Sequence, residues 1–135
     1  GRPLGMTQED VTLTGHAIEC RVTAESPADG FRPSPGTIDE WEAPIGPGVR
    51  VDSHGMAGYT VPPFYDSLLA KVICHRPSRE SAIEAMARAL ADFTVTGIDT
   101  TLPFLREVMA DPEYRDGTAG TSWVDDRFAA AGRRA

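Results

Sequence analysis

The run Leu68-Leu-Ala-Lys-Val-Ile-Cys-His75, with the segment Ser78-Arg-Glu-Ser-Ala-Ile-Glu-Ala-Met-Ala-Arg-Ala-Leu-Ala-Asp-Phe93 just after it, decides the fold. The first part is a nearly continuous β-branched and leucine-rich stretch, short enough for a strand and apolar enough for a central one. The second part carries Ile83, Met86, Leu90 and Phe93 at spacings of three and four, which puts them on one face of a helix that must pack on the sheet. Ser78 or Ser81 can cap this helix, with Glu84 placed to complete a capping box with Ser81. The junction between strand and helix divides the chain, because strand and turn signals lie before it and helix signals after it.

Working back from the junction, Ala17 to Thr23 alternates Ile18, Cys20 and Val22 with Glu19, Arg21 and Thr23. One face of that strand is apolar and the other carries paired opposite charges. From Pro27 to Pro63 proline and glycine recur every few residues, as in Pro33-Ser-Pro-Gly36 and Pro44-Ile-Gly-Pro-Gly48, which is the punctuation of short strands and tight turns. Gly36 to Glu42 and Val49 to Asp52 read as two of those strands. Working forward, an extended piece from Thr94 to Ile98 leads to a helix from Thr101 to Ala110, with Pro103 in its first turn and Asp111-Pro112 at its end. Trp123 and Phe128 are expected in a docked strand or turn and a last short helix, with 129–135 as a frayed tail. The expected fold is α+β: an antiparallel sheet of short strands from the first half, packed by two to three helices from the second. At 135 residues the chain can bury one core, so 1–135 is read as one domain. A first residue Gly1 in place of Met hints at a piece of something longer, or at a trimmed tag.

Of the 13 cationic side chains twelve are Arg, and Lys71 alone is Lys. A lysine phosphate cradle, or a carrier or Schiff-base lysine away from Lys71, is therefore excluded. The net charge of −7 argues against sequence-independent binding to nucleic acid or to an anionic membrane, since the basic cluster Arg133-Arg134 is too short to offset it. No apolar run approaches the roughly 20 residues of a membrane span, and the first dozen residues lack a signal-peptide core. The expectation is a soluble, cytoplasmic chain with Cys20 and Cys74 as buried free thiols. His16, His54 and His75 have no paired ligand spacing, so no metal site is expected. Asp52, Ser53 and His54 carry the letters of a hydrolase triad, but adjacent strand residues point to opposite faces and cannot form the relay.

Arg50 is a stronger candidate. It lies between Val49 and Val51 on a short strand after a tight turn, so it projects from a rigid support on the face opposite its apolar neighbours. A guanidinium held in that way suits a carbonyl, an enolate or a carboxylate, through two directed donors and a permanent charge. The competing reading is a surface arginine paired with Asp52 or Glu42. The stretch Gly58-Tyr-Thr-Val-Pro-Pro-Phe-Tyr-Asp-Ser67 reads as a stiff extended loop whose aromatics can bury area against it, with Asp66 and Ser67 satisfying donors where the next strand starts. It is either a ligand wall or a structural corner.

Taken in order, Gly15-His-Ala-Ile-Glu-Cys-Arg21 with Ala24-Glu25, Phe31-Arg-Pro-Ser-Pro-Gly36, Gly48-Val-Arg-Val-Asp-Ser-His54 and Ala57-Gly-Tyr-Thr-Val-Pro-Pro-Phe-Tyr-Asp-Ser67 with Lys71 resemble the C-terminal domain of biotin carboxylase, over about Gly1 to Trp123. That is the ATP-dependent component of acetyl-CoA, propionyl-CoA and related acyl-CoA carboxylases and of pyruvate carboxylase. Thr101 stands where the family commonly has Asn, and Ser26 where an acidic residue or Asn is usual; Thr101 is expected still to cap its helix. The resemblance implies a division of labour, with residues 1–14 a lead-in from the missing ATP-grasp domain. An upstream N-terminal and ATP-grasp region binds ATP, Mg and bicarbonate and forms carboxyphosphate, and the carboxyl passes to N1 of biotin on a carrier protein. A carboxyltransferase elsewhere in the holoenzyme then uses it, for example in fatty acid metabolism. By the same resemblance Arg50 is the catalytic, biotin-binding arginine that contacts the ureido oxygen, and His75, Arg76 and Arg79 are contacts of a homodimer. The isolated chain is expected to be inactive. The alternative reading is a non-catalytic dimerisation module with the same fold. A biotin carrier is a poorer match, because Lys71 sits between Ala70 and Val72 in a strand.

Overall fold

Leu68–Arg76 (β8) forms the middle of a three-stranded antiparallel sheet in the computed structural model, which describes residues 1–128. His16–Thr23 (β1) lies on one side of it and Val49–Ser53 (β6) on the other. Ala70, Val72 and Cys74 point from β8 to one face and are buried, together with Ile18, Cys20 and Val22 of β1. Five two-residue strands complete the first half: Glu25–Ser26 (β2), Arg32–Pro33 (β3), Gly36–Thr37 (β4), Trp41–Glu42 (β5) and Thr60–Val61 (β7). Arg79–Asp92 (α1) follows β8, then Thr94–Val95 (β9), Leu102–Ala110 (α2), Pro112–Asp116 (α3) and Trp123–Phe128 (α4). The α+β expectation holds, with strands first and helices after.

The segment read as one strand from Gly36 to Glu42 is two strands with separate partners. Gly36–Thr37 pairs with β7 and Trp41–Glu42 with β9, while Ile38 turns into the core between them. The backbone N–H of Ile38 donates to Tyr59 O and that of Asp39 to Thr96 O, so long-range partners hold the break open.

The apolar face of α1 covers the sheet through Ala82, Ile83, Met86, Ala89 and Leu90. Ser78 is its N-cap: the hydroxyl accepts from Ser81 N at 3.2 Å, and Ser81 Oγ accepts from Ser78 N at 3.1 Å. Glu84 has no part in that cap and pairs instead with Arg88, one turn on. Phe93 closes the helix and packs edge-to-face on Trp41, ring centroids 5.0 Å apart. Trp41 and Val95 also touch a second buried cluster of Ala24, Ile38, Val61 and Leu69, and so join the two cores.

Thr101 does not cap α2 as expected. Its backbone sits at the N-cap position, but its hydroxyl makes no bond to the helix. The hydroxyl turns instead to β1, where it accepts from Thr23 N at 3.0 Å and donates to Arg21 O at 3.3 Å. These bonds fall where the ladder of β1 with β8 slips between Val22 and Thr23, so the buried threonine supplies partners that the bent strand end lacks. Asp111 does cap α3, accepting from Glu113 N and Tyr114 N, and its buried carboxylate holds Arg127 of α4 at 2.5 Å. The tail expected to fray, 129–135, lies outside the described residues. None of the described helices is long and apolar enough to cross a membrane.

Cys20 and Cys74 are buried and free, as expected. Burial, with Cys74 and Glu19 nearby, pushes the Cys20 thiol up from 9.0 to about 12. It therefore stays protonated in the folded chain where the unfolded chain loses the proton, and this contribution to stability is lost as pH rises from 9.0 towards 12. Iodoacetamide at pH 9.0 is expected to leave Cys20 unlabelled in the native protein and to label it in urea. Equal labelling rates in the two states would contradict this burial.

Candidate functional site

The polar face of the three-stranded sheet gathers the charged side chains of three sequence motifs. The register sets Arg50 of β6 opposite Ile73 of β8, which lies opposite Glu19 of β1; the next row is Asp52, Lys71 and Arg21. Strand alternation brings these residues to one face, because each is separated by an even number of positions from the others on its strand.

Arg50 grips Asp52 in a two-pronged pair, Nε to Oδ1 at 2.9 Å and Nη2 to Oδ2 at 2.5 Å. The hydrogen bonds from Arg50 hold the Asp52 carboxyl below its usual range, and those bonds in turn raise Arg50. Of the readings set out from the sequence, the structure shows the pairing with Asp52, on a side chain that projects from the strand. The pair uses one edge of the guanidinium only. Of five N–H donors, Nε and one hydrogen of Nη2 are taken, and the edge between Nη1 and Nη2 still offers two parallel donors. Glu42, the other partner considered, lies in β5 and pairs there with Thr94 of β9.

The remaining charges of the face are arranged around this pair. Lys71 lies 3.7 Å from Glu19. Arg21 has Asp66 beside it, Nη2 to Oδ1 at 3.8 Å, a separation too long for a hydrogen bond. Asp66 is fixed by its own strand start, since the same Oδ1 accepts from Leu68 N at 2.7 Å. Glu19 and Arg21, read from the sequence as a charge pair on one strand, thus take different partners.

Asp66 belongs to the loop between β7 and β8, and Ser67 beside it donates its hydroxyl to Glu25. Asp66 thus satisfies a donor at the start of the strand as expected, while the Ser67 side chain ties the loop to β2. The aromatics divide: Tyr59 is half-buried and packs on the cluster of Ala24, Ile38, Val61 and Leu69, whereas Phe64 is 86% exposed and Tyr65 84%. A groove of about 270 Å³ runs behind the loop between Pro33, Pro35, Pro62 and Pro63. A larger one of about 440 Å³ lies elsewhere, lined by Phe31, Ile98, Pro103 and Phe104, and its only charged groups are the acids Asp99 and Glu107. The cationic side chains Arg50, Lys71 and Arg21 stand on the polar sheet face and not in the larger groove.

The expected dimer residues divide. His75 Nε2 lies 2.8 Å from Thr14 O, and Arg76 donates to His75 O at 3.2 Å. Both sit at the end of β8, clasped between Gly15 and Gly48. A Cβ on Gly15 would come 2.5 Å from Arg76 O, and one on Gly48 2.6 Å from His75 O, so both positions need a residue without a side chain. Arg79 is turned the other way: it donates to Tyr114 O and lies over the Tyr114 ring at 5.0 Å. The Asp52-Ser53-His54 sequence forms no relay, since Asp52 faces Arg50, Ser53 accepts from Gly55 N, and His54 packs on Tyr59. Among the described residues no three His, Cys, Asp or Glu side chains are grouped to hold a metal.

Glu19 and Arg21 were not singled out as site residues from the sequence, although a signal was present. The two clearest strands, 17–23 and 68–75, pair with each other, and that pairing carries the charged side of one to the face on which Lys71 and Arg50 stand.

Comparison with known proteins matches residues 19–126 to the family model of the biotin carboxylase C-terminal domain. The biotin carboxylase of Nostoc sp. is 47% identical over 126 residues, which cover 93% of this chain and 28% of that protein. Biotin carboxylase 1 of Bacillus subtilis is 45% identical over 125 residues, covering 93% of this chain and 28% of its own length. Among solved structures, the biotin carboxylase domain dimer of the Hydrogenobacter thermophilus 2-oxoglutarate carboxylase, in complex with MgADP, ADP and bicarbonate, superposes with a TM-score of 0.92 at 39% identity, over 100% of this chain and 30% of that one. The chain thus spans less than a third of the relatives it matches. Four motifs in one order, a shared fold and identity above 40% across nine tenths of the sequence converge on the same assignment: this chain belongs to the biotin carboxylase C-terminal domain family.

Proposed function

We propose that the chain completes the biotin side of a biotin carboxylase, in which ATP and bicarbonate drive carboxylation of biotin at N1 on a carrier protein. The ATP, Mg and bicarbonate sites belong to the ATP-grasp region upstream, and a carboxyltransferase in the holoenzyme takes the carboxyl group on. The short coverage of its relatives supports this division, as does a single lysine held in mid-strand at an ion pair with Glu19.

The observation that carries the proposal is the open edge of Arg50 on the polar sheet face. As N1 of biotin loses its proton, negative charge develops on the ureido oxygen, and a fixed donor pair aimed there lowers the barrier. Arg50 stands within the Gly48-Val-Arg-Val-Asp-Ser-His54 motif, its positive charge is permanent, and the edge between Nη1 and the second hydrogen of Nη2 is open to an oxygen while Nε and the first hydrogen of Nη2 hold Asp52. Removing the side chain from the full-length enzyme is the test: Arg50→Ala should spare MgATP binding and lose biotin carboxylation.

His75 and Arg76 at the end of β8, with Arg79 at the start of α1, are the proposed contacts of a homodimer. The isolated chain should neither cleave ATP in a bicarbonate-dependent reaction nor carboxylate biotin; either activity would sink this reading. A tight dimer in sedimentation, with Arg50 kinetically silent in the full-length enzyme, would favour a dimerisation module instead.

A further inference from the structure

Arg50 carries its guanidinium at the end of a flexible stem, and its side chain is largely in solvent, so nothing in the core fixes the plane of the fork. Asp52 does so. It lies two residues on along β6 and therefore on the same face, and its two oxygens meet Nε and Nη2. A two-point contact between planar groups sets both the direction and the roll of the guanidinium, where a single hydrogen bond would set neither.

The carboxylate is itself held in place. β6 pairs with β8 along its whole length, with Arg50 opposite Ile73 and Asp52 opposite Lys71, so the stems of both partners leave a strand in fixed register. Lys71 does not compete for Asp52, because it lies beside Glu19 on the far strand. Lys71 nonetheless adds to the forces that keep Asp52 ionised, behind the hydrogen bonds from Arg50.

We infer that Asp52 is a positioning residue for Arg50. By occupying the Nε side of the fork it fixes the direction in which the Nη1–Nη2 edge faces substrate. This rests on the assignment of the ureido contact to Arg50.

The test uses the full-length enzyme with Asp52→Ala, Asp52→Asn, Asp52→Glu, Arg50→Ala and the Asp52→Ala/Arg50→Ala double variant. Asp52→Ala is expected to lower kcat/KM for free biotin about tenfold, below the roughly hundredfold that a 1 Å misplacement can cost, with KM for MgATP unchanged. Asparagine keeps one acceptor of the two and should fall between alanine and the parent. Glutamate keeps both on a longer stem and should recover to within about threefold. In the Arg50→Ala background Asp52→Ala should add less than about twofold, because its route runs through Arg50. A thermal melt of each variant separates unfolding from the kinetic effect. Normal or faster biotin kinetics in Asp52→Ala, alongside an impaired Arg50→Ala, would overturn the inference and leave the Arg50 assignment standing. Multiplicative losses in the double variant would show a role unconnected to Arg50 and overturn it too. Normal kinetics in Arg50→Ala would remove the assignment itself and the inference with it.

Discussion

Arg50→Ala, introduced into the full-length enzyme, is expected to lower kcat for biotin carboxylation by about 100- to 1,000-fold, on the order of 3–4 kcal/mol of transition-state stabilisation. The size follows from what the guanidinium is proposed to face. In the ground state the ureido oxygen is a neutral acceptor, and in the transition state it carries much of the charge left by the N1 proton, so the donor matters most at the barrier. KM for MgATP should stay within about twofold, because the loss falls on the step that follows nucleotide binding. Arg50→Lys should recover little of the rate. An ammonium is a single point of charge and lacks the two edges, one of which holds Asp52 while the other is open to the proposed oxygen. Steady-state assays with free biotin and with MgATP varied separately decide the matter. Parallel losses in both would mean a misfolded enzyme, and no loss in either would end the assignment of Arg50.

The second large effect concerns stability. Phe93→Ala should lower the free energy of unfolding by about 3–5 kcal/mol, a substantial part of the roughly 5–15 kcal/mol that holds a typical domain together. Phe93 is 1% exposed and meets Trp41 edge-to-face. Its backbone carbonyl, which accepts from Arg106 at 2.9 Å, survives the substitution, so the loss comes from the ring. Because Trp41 touches both buried clusters, the cavity opens at their junction and neither cluster can relax into it alone. Urea denaturation followed by tryptophan fluorescence should show a lower midpoint with an unchanged slope. A loss below about 1 kcal/mol would mean that the junction repacks, contrary to this picture.

Residues whose partners are local were readable from the sequence, and those whose partners are distant were not. The β8 and α1 assignments rest on periodicity within a dozen residues, and both hold, as does the central place of β8. The capping box went to Ser78 and Ser81 because the helix begins one turn earlier than the Ser81–Glu84 reading required. Gly36 to Glu42 could not be seen to break in two, since the bonds that break it come from Tyr59 and Thr96. Thr101 was read as a cap for the same reason, its partners being the distant Arg21 and Thr23. The site follows the rule as well. Asp52, two residues from Arg50 on one strand face, was a visible partner, whereas Asp66 lies 45 positions from Arg21 and becomes its neighbour only through the pairing of β1 with β8. What the sequence could not show is that pairing with Asp52 leaves one edge of the Arg50 guanidinium open. That depends on which edge of the guanidinium the carboxylate takes, and only the atomic contacts at Nε and Nη2 tell.

The pair of Arg50 and Asp52 also bears on how the protein behaves in solution. β6 ends the sheet among the described residues, and an unpaired strand edge is a template on which another chain can add by backbone pairing, the first step of many aggregates. Thr101 blocks that route at the bent end of β1. Along β6 the deterrent is charge: two opposite ions stand side by side on one face of the strand, and a strand arriving to pair there would have to accommodate both. Removing Arg50 would therefore strip away a guard against self-assembly together with the proposed donor.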